Sequence, residues 1–354
     1  MVLSDIVRPL LDWYAANARD LPWRRDVTPY RVWVSEIMLQ QTRVEAVKGY
    51  FERFVAAAPD VASLAALPEE RLLKLWEGLG YYSRARNLQK AARVCAERFG
   101  GALPADYDAL LSLPGVGPYT AGAVASIAFG QAVPAVDGNV LRVFTRLTAD
   151  SGDIADDAVK RRVTDALSAL MPAGESGAFN QALMELGATV CLPNAAPHCE
   201  DCPVRTECKA HLAGEETNYP QKRPKPPRRV EERTVFLLER EGRLALRRRP
   251  GRGLLASLWE LPGAEGTLTR DEAVAAVRAL GLEPLRLTPL APYRHIFTHV
   301  EWRVSGWRVK LPPEGGGDGL TWALPAELAA RYPLPSAFRP CLTAFLEGPG
   351  GENL

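Results

Sequence analysis

Four of the chain's six cysteines, Cys191, Cys199, Cys202 and Cys208, crowd into one stretch with the spacing C-x7-C-x2-C-x5-C. A C-x2-C pair presents two thiolates to one ion from a single turn, so this stretch should close around a metal centre. Two disulfides are the weaker reading. The first residues, Met1–Leu10, are interrupted by Asp5 and Arg8 and make no export signal. Zinc usually takes two separated C-x2-C pairs, whereas here one loop carries four thiolates around a single pair. That favours a 4Fe-4S cluster over zinc. His198 and His211 flank the loop as spare donors and are read as bystanders. Cys95 and Cys341 stand alone and read as buried small hydrophobes.

At 354 residues, 47% hydrophobic and 24% charged, the chain should form two domains with sizeable cores. A net charge of +1 excludes a globally basic binder and leaves room for local basic patches. No membrane span is supported, and the expectation is a soluble, cytoplasmic protein. The region 1–215 carries helical periodicity, as in Arg31–Gln41 behind Pro29, Ser83–Arg98, Thr120–Phe129 and Phe179–Cys191. Residues 216–231 form a basic, Pro-rich linker. Its Tyr219–Val230 segment, with five basic residues and four prolines, reads either as a solvated hinge or as a phosphate-contacting strap. Over 232–346 the period changes to that of strands, with a hairpin around Glu241-Gly242 and one amphipathic helix at Asp271–Leu280. The phase flip at Gly306, between Trp302/Val304 and Trp307/Val309, predicts a bulge.

Two further motifs carry chemistry. Leu113-Pro114-Gly115-Val116-Gly117 joins two helices (about 108–130) through a glycine turn whose amides suit a phosphodiester. Downstream, Asp137 sits in Val136-Asp137-Gly138-Asn139-Val140, where it is either a helix cap or a functional carboxylate.

LPGVGPYTA, VDGNVLRV and the cysteine stretch resemble the helix-hairpin-helix DNA glycosylase superfamily. Leu21–Arg24, Trp33–Val44 and Trp76–Leu88 narrow the resemblance to adenine DNA glycosylases of the MutY type. It implies an all-α helix-hairpin-helix domain with a 4Fe-4S loop, followed by an α+β Nudix-like domain. The implied activity is hydrolysis of the N-glycosidic bond of adenine paired with 8-oxoguanine or G, by a monomer acting on duplex DNA. Such chemistry needs a better leaving group and a stabilised sugar cation on an extruded base. The resemblance assigns Glu36 as the acid at adenine N7, Asp137 as the partner of the sugar cation, Asn139 as its positioner and Tyr119 as its support. Arg24 and Gln181 would hold the adenine edge. Gln41, Leu79 and Tyr81 would wedge into the stack, and Leu113, Gly115, Val116 and Gly117 would meet the backbone. Endonuclease III-type relatives carry a lysine where this chain has Tyr119, so the resemblance implies a monofunctional glycosylase. Leu141 stands where a lysine is frequent in the family. The first cysteine gap is seven rather than six, so the loop should bulge.

In the second domain, Trp259–Gly263 and the following helix resemble a Nudix box. That helix has alanines and valines where magnesium-binding glutamates would fall, so diphosphate hydrolysis is not expected. Phe297, Thr298 and His299 match the family's Phe-Ser-His reader of 8-oxoguanine, with threonine keeping the hydroxyl. The competing readings are an endonuclease III-like lyase, a catalytically dead lesion binder and a nucleotide pyrophosphatase. Tyr119, the intact Glu36/Asp137 pair and the missing glutamates argue against each in turn.

Overall fold

A computed structural model of the chain describes residues 3–193, 195–224 and 226–348. The chain divides into two compact units. One comprises the residues up to Leu67 together with Ser83–Pro224, and the other comprises Pro68–Tyr82 together with the chain beyond Pro224.

The first unit is helical: α1 (Val7–Asn17), α2 (Pro29–Leu39), α3 (Ser83–Arg98), α4 (Tyr107–Leu111), α5 (Pro118–Phe129), α6 (Gly138–Thr148), α7 (Asp157–Ser168) and α8 (Ser176–Thr189). Caps set the starts. Thr28 accepts from Arg31 N–H ahead of Pro29, Asp106 from Ala109 N–H, and Asp156 from Ala158 N–H. Helix α5 is apolar all round and buried at every residue from Thr120 to Ser126, as a central helix must be. Small residues let its neighbours approach: a Cβ on Gly122 would stand 2.3 Å from Pro134 O, and one on Gly177 2.7 Å from Ser126 O. Leu10, Phe144, Val163, Phe179 and Leu183 pack one core from α1, α6, α7 and α8. The helix expected to run to Cys191 stops at Thr189, because Cys191 N–H turns back to Leu186 O at 2.8 Å.

The second unit is a seven-stranded mixed sheet with helices on both faces. Its strands are β1 (Arg229–Arg240), β2 (Arg243–Arg248), β3 (Trp259–Glu260), β4 (Gly263–Glu265), β5 (Arg286–Ile296), β6 (Val300–Lys310) and β7 (Thr321–Ala323). Strand β1 pairs parallel with β6 and antiparallel with β2 at the expected hairpin. Val235 and Leu237 face a core shared with Trp302, Val304 and Phe338. Phe236 and Leu238 face another shared with Ala273, Val277 and Val309. A strand buried on both faces is apolar without alternation, which explains the run Val235–Leu238.

This double burial corrects the bulge expected at Gly306. The β1–β6 register runs unbroken from Arg229↔Val300 to Glu239↔Lys310. The apolar phase flips because Trp302 and Val304 serve one core while Val309 and Leu311 serve the other. The irregularity lies on the opposite strand, between Leu290 and Tyr293 of β5.

The linker is also shorter than expected. Ile154 N–H donates to Gln221 O at 3.1 Å, and Arg146 Nε donates to Glu216 O and Tyr219 O, so the first half of 216–231 belongs to the helical unit. Arg229–Glu231 already form the start of β1. Residues Pro68–Tyr82, placed by sequence in the first domain, pack with the second unit. Lys74 Nζ donates to Leu328 O at 2.9 Å, and Leu334 N–H donates to Glu77 Oε1 at 2.7 Å.

Candidate active site

Helices α2, α5, α6 and α8, with the turn after α1, enclose a cavity of about 470 Å³. Glu36, Tyr119, Asp137, Asn139, Arg24, Gln181 and Gln41 all line it. Seven residues spread over some 160 positions of sequence thus converge on one space of the size expected for a small ligand.

Glu36 is 6% exposed on α2. Burial pushes its carboxyl up to about 7; Asp137 adds to the rise, while the Tyr119 hydrogen bond and Arg24 oppose it. The Tyr119 hydroxyl donates to Glu36 Oε2 at 2.5 Å and touches Met184 Sδ at 3.2 Å. The hydroxyl expected to support Asp137 is thus bonded to Glu36. Burial and the two carboxylates raise the phenol well above its ordinary value, so it remains a neutral donor.

Asp137 is both cap and site residue. Its Oδ1 accepts from Val140 N–H at 2.8 Å, starting α6, and its Oδ2 accepts from Asn139 Nδ2 at 2.9 Å. Burial raises its carboxyl above the usual value, and these bonds with Arg142 restrain the rise. Asn139 Oδ1 accepts from Arg142 Nη2 at 2.8 Å, and Arg142 Nε donates to Cys191 O at 2.8 Å. An unbroken line of hydrogen bonds therefore runs from Asp137 to the cysteine stretch. Gly187 makes room for it, since a Cβ there would lie 2.7 Å from Asn139 Cβ.

Glu185, which sequence reading missed, is 1% exposed in the same cavity. It accepts from Arg19 Nε at 2.6 Å and from Arg24 Nη2 at 2.9 Å. Burial alone would raise its carboxyl, but the two guanidiniums hold it down at about 2. The available signal was helical spacing: Gln181 and Glu185 are one turn apart on α8 and share a face.

In the hairpin only Gly115 needs to be glycine. Its φ is 77°, and a Cβ would lie 2.6 Å from Asn87 Cβ. Gly117 has ordinary extended backbone and open space. The side chains of Leu113 and Val116 are buried, so what they can offer a phosphate is main chain, and Val116 N–H is already donated to Leu113 O.

Cys191, Cys199, Cys202 and Cys208 line a second small cavity with Arg146, His211 and Glu216. None forms a disulfide. Burial pushes the Cys202 thiol up to about 12 and the Cys199 thiol to about 11, a cost that a bound metal centre would remove. Arg146 Nη1 donates to Cys191 Sγ at 3.1 Å. The donor set, four sulfurs with a guanidinium beside them, fits an iron–sulfur cluster. The seven-residue gap is closed by His198 N–H donating to Val190 O at 2.9 Å; Asn194 within it lies outside the described residues. His211 is paired with Glu216 at 2.6 Å beside Cys199, a closer placement than its reading as a bystander.

Leu79, Tyr81, Phe297, Thr298 and His299 belong to the second unit. Leu79 is buried, whereas Tyr81 is 48% exposed with φ 46°. The Tyr81 and Thr298 hydroxyls are hydrogen-bonded at 2.8 Å, and Phe297 packs edge-on to Trp302. On the helix Arg270–Ala279, Glu272 is taken up in a capping box with Thr269, while Ala273 and Val277 face the core. Among the described residues, no cluster of three metal-ligand side chains is found in this unit.

Residues 34–168 match the HhH-GPD superfamily base excision DNA repair protein family, and residues 234–344 match the NUDIX domain. Fold and matches together define a helix-hairpin-helix protein of base excision repair with a Nudix-like second unit. The chain is 36% identical over 399 residues to an adenine DNA glycosylase of Rattus norvegicus, covering 94% of this chain and 77% of that protein. It is 40% identical to that of Homo sapiens, over 82% of this chain and 64% of the other. It is 31% identical to that of Buchnera aphidicola, over 86% of each. The chain belongs to the adenine DNA glycosylase family. Among solved structures, a thermostable thymine-DNA glycosylase aligns with TM-score 0.54 and 29% identity, over 59% of this chain and 96% of that one. A trapped endonuclease III–DNA covalent intermediate aligns with TM-score 0.51 and 27% identity, over 60% and 99%.

Proposed function

We propose that the protein is a monofunctional adenine DNA glycosylase that extrudes adenine opposite 8-oxoguanine, or opposite G, from duplex DNA and hydrolyses its N-glycosidic bond. Removing that adenine prevents G:C to T:A transversions. It would act as a monomer on cytoplasmic DNA. The observation that carries this reading is the convergence of Glu36, Tyr119 and Asp137 on one cavity, with a carboxyl titrating near 7 beside one fixed by two hydrogen bonds.

Glu36 delivers its proton to N7 as the N9–C1′ electron pair passes to the base. The Asp137 carboxylate faces the cation forming at C1′, and water closes the reaction by bonding there as its proton passes to the Glu36 carboxylate. Tyr119 keeps Glu36 oriented. A phenol held neutral in the place of an amine cannot attack C1′ to form a Schiff base, so the strand is left intact. Arg24, locked on Glu185, and Gln181 supply donors and acceptors for the adenine edge. A 4Fe-4S cluster on Cys191, Cys199, Cys202 and Cys208 would hold the loop that Arg142 and Arg146 grip. In the second unit, the hydrogen-bonded Tyr81–Thr298 pair, with Phe297 and His299, would read 8-oxoguanine.

The test is single-turnover excision from duplexes with A opposite 8-oxoguanine, with and without alkali. Strand cleavage only after alkali is the expected result. Cleavage without alkali would establish a lyase, and tight binding with no excision a lesion reader.

A further inference from the structure

Gln41, which faces the cavity mouth, is exposed and held in the left-handed region at φ 57°, a conformation that side chains other than glycine adopt only under constraint. The constraint comes from Arg84 on α3, which is 9% exposed. The two hydrogens of its Nη1 are shared among Ile37 O and Met38 O, each at 2.9 Å, and Gln40 O at 2.5 Å. Its Nη2 donates to Thr42 Oγ1 at 3.2 Å. One guanidinium thus collects the last carbonyls of α2 and the hydroxyl just past Gln41, gripping the turn on both sides. A cation at a helix C-terminus is favourable in itself, and the planar fork lets Nη1 meet the carbonyls while Nη2 reaches the Thr42 hydroxyl on the far side of Gln41.

We propose that Arg84 is a positioning residue for base extrusion, clamping the strained turn so that Gln41 is aimed into the base stack before DNA arrives. A wedge held in advance loses no ordering entropy on binding, whereas a relaxed turn would have to be bent into place for every extrusion event. The inference rests on the reading of Gln41 as a stack-facing residue, and the test separates the two.

The probe is a duplex with 2-aminopurine opposite 8-oxoguanine, mixed by stopped flow with full-length protein carrying Arg84→Lys, Gln41→Ala or both. Arg84→Lys keeps the charge and stem but not the fork. It should slow extrusion about tenfold, as loss of one charge-assisted hydrogen bond would. Gln41→Ala should slow extrusion comparably, and the double variant should be no slower than Gln41→Ala alone. Single effects that multiply in the double variant, or wild-type extrusion with Arg84→Lys, would overturn the clamp. Wild-type extrusion with Gln41→Ala would instead remove the wedge reading on which it rests. Should Arg84→Lys fail to fold, Thr42→Val, which removes one partner of the fork, is judged by the same cycle. Its effect should likewise disappear in the Gln41→Ala background, and independence there would equally overturn the clamp.

Discussion

The Tyr119 hydroxyl donates to Glu36 Oε2 at 2.5 Å, joining the hairpin helix α5 to the helix that carries the acid. This bond lowers the Glu36 carboxyl, while burial, the larger effect, raises it to about 7. Two consequences follow for pH. In the proposed mechanism excision needs Glu36 protonated, so its rate should fall as pH rises through about 7. Tyr119→Phe removes a lowering influence and should shift that midpoint upward. A single-turnover pH profile decides both, and an unmoved or lowered midpoint in Tyr119→Phe would contradict the assignment.

The same carboxyl links folding to pH. Unfolded, it titrates near the ordinary glutamate value of 4.5; folded, near 7, so the native state binds the extra proton between those values. Its stabilising contribution is complete below about 4.5 and is lost as pH rises to about 7. The loss is on the order of 3 kcal/mol. Glu36→Gln should therefore gain stability over the native protein at pH 8 relative to pH 5, read from urea midpoints.

Glu36→Gln and Asp137→Asn should each lower excision by about 10³-fold or more while duplex binding stays within a few-fold. Full activity in either variant would sink the mechanism. Parallel loss of binding would point to misfolding, checked by thermal melting.

Gly187→Ala tests the line Asp137–Asn139–Arg142 without replacing any of its members. The new methyl would meet Asn139 Cβ at 2.7 Å. Overpacking should cost about 1–3 kcal/mol of stability. Displacing Asn139 should slow excision by roughly 10- to 100-fold. Native excision with lowered stability would show that Asn139 does not position Asp137.

The Tyr81–Thr298 hydrogen bond predicts a shared role in lesion preference. Tyr81→Phe and Thr298→Val should each reduce the ratio of excision opposite 8-oxoguanine to that opposite G by about 5- to 10-fold, and the pair should be non-additive. His299→Ala should lower the same ratio independently. Additive effects of the first two would mean that the hydroxyls act apart.

Local chemistry made much of the molecule legible from sequence. Pro29 at a helix start, Asp137 as a cap, the strand period after the linker and the Cys191–Cys208 spacing are short-range signals, and the structure keeps the elements they mark. What went astray depended on distant partners. The phase flip at Gly306 has the same sequence pattern whether a strand bulges or is buried on both faces, and the cores above and below β6 decide between them. Pro68–Tyr82 directly precedes residues of the helical unit, yet belongs to the unit whose first strand begins at Arg229.

By itself the sequence determined the helical first unit, the glycine hairpin and the cysteine loop, because propensity, capping and spacing act within a few residues. Only the tertiary structure decided which groups meet. Tyr119 donates to Glu36 rather than Asp137, Glu185 is buried against Arg19 and Arg24, and Asn139 is joined to Cys191 through Arg142. Those contacts bring together residues far apart in the chain. Their electrostatics arise from removing water around groups whose neighbours exist only once the helices have packed.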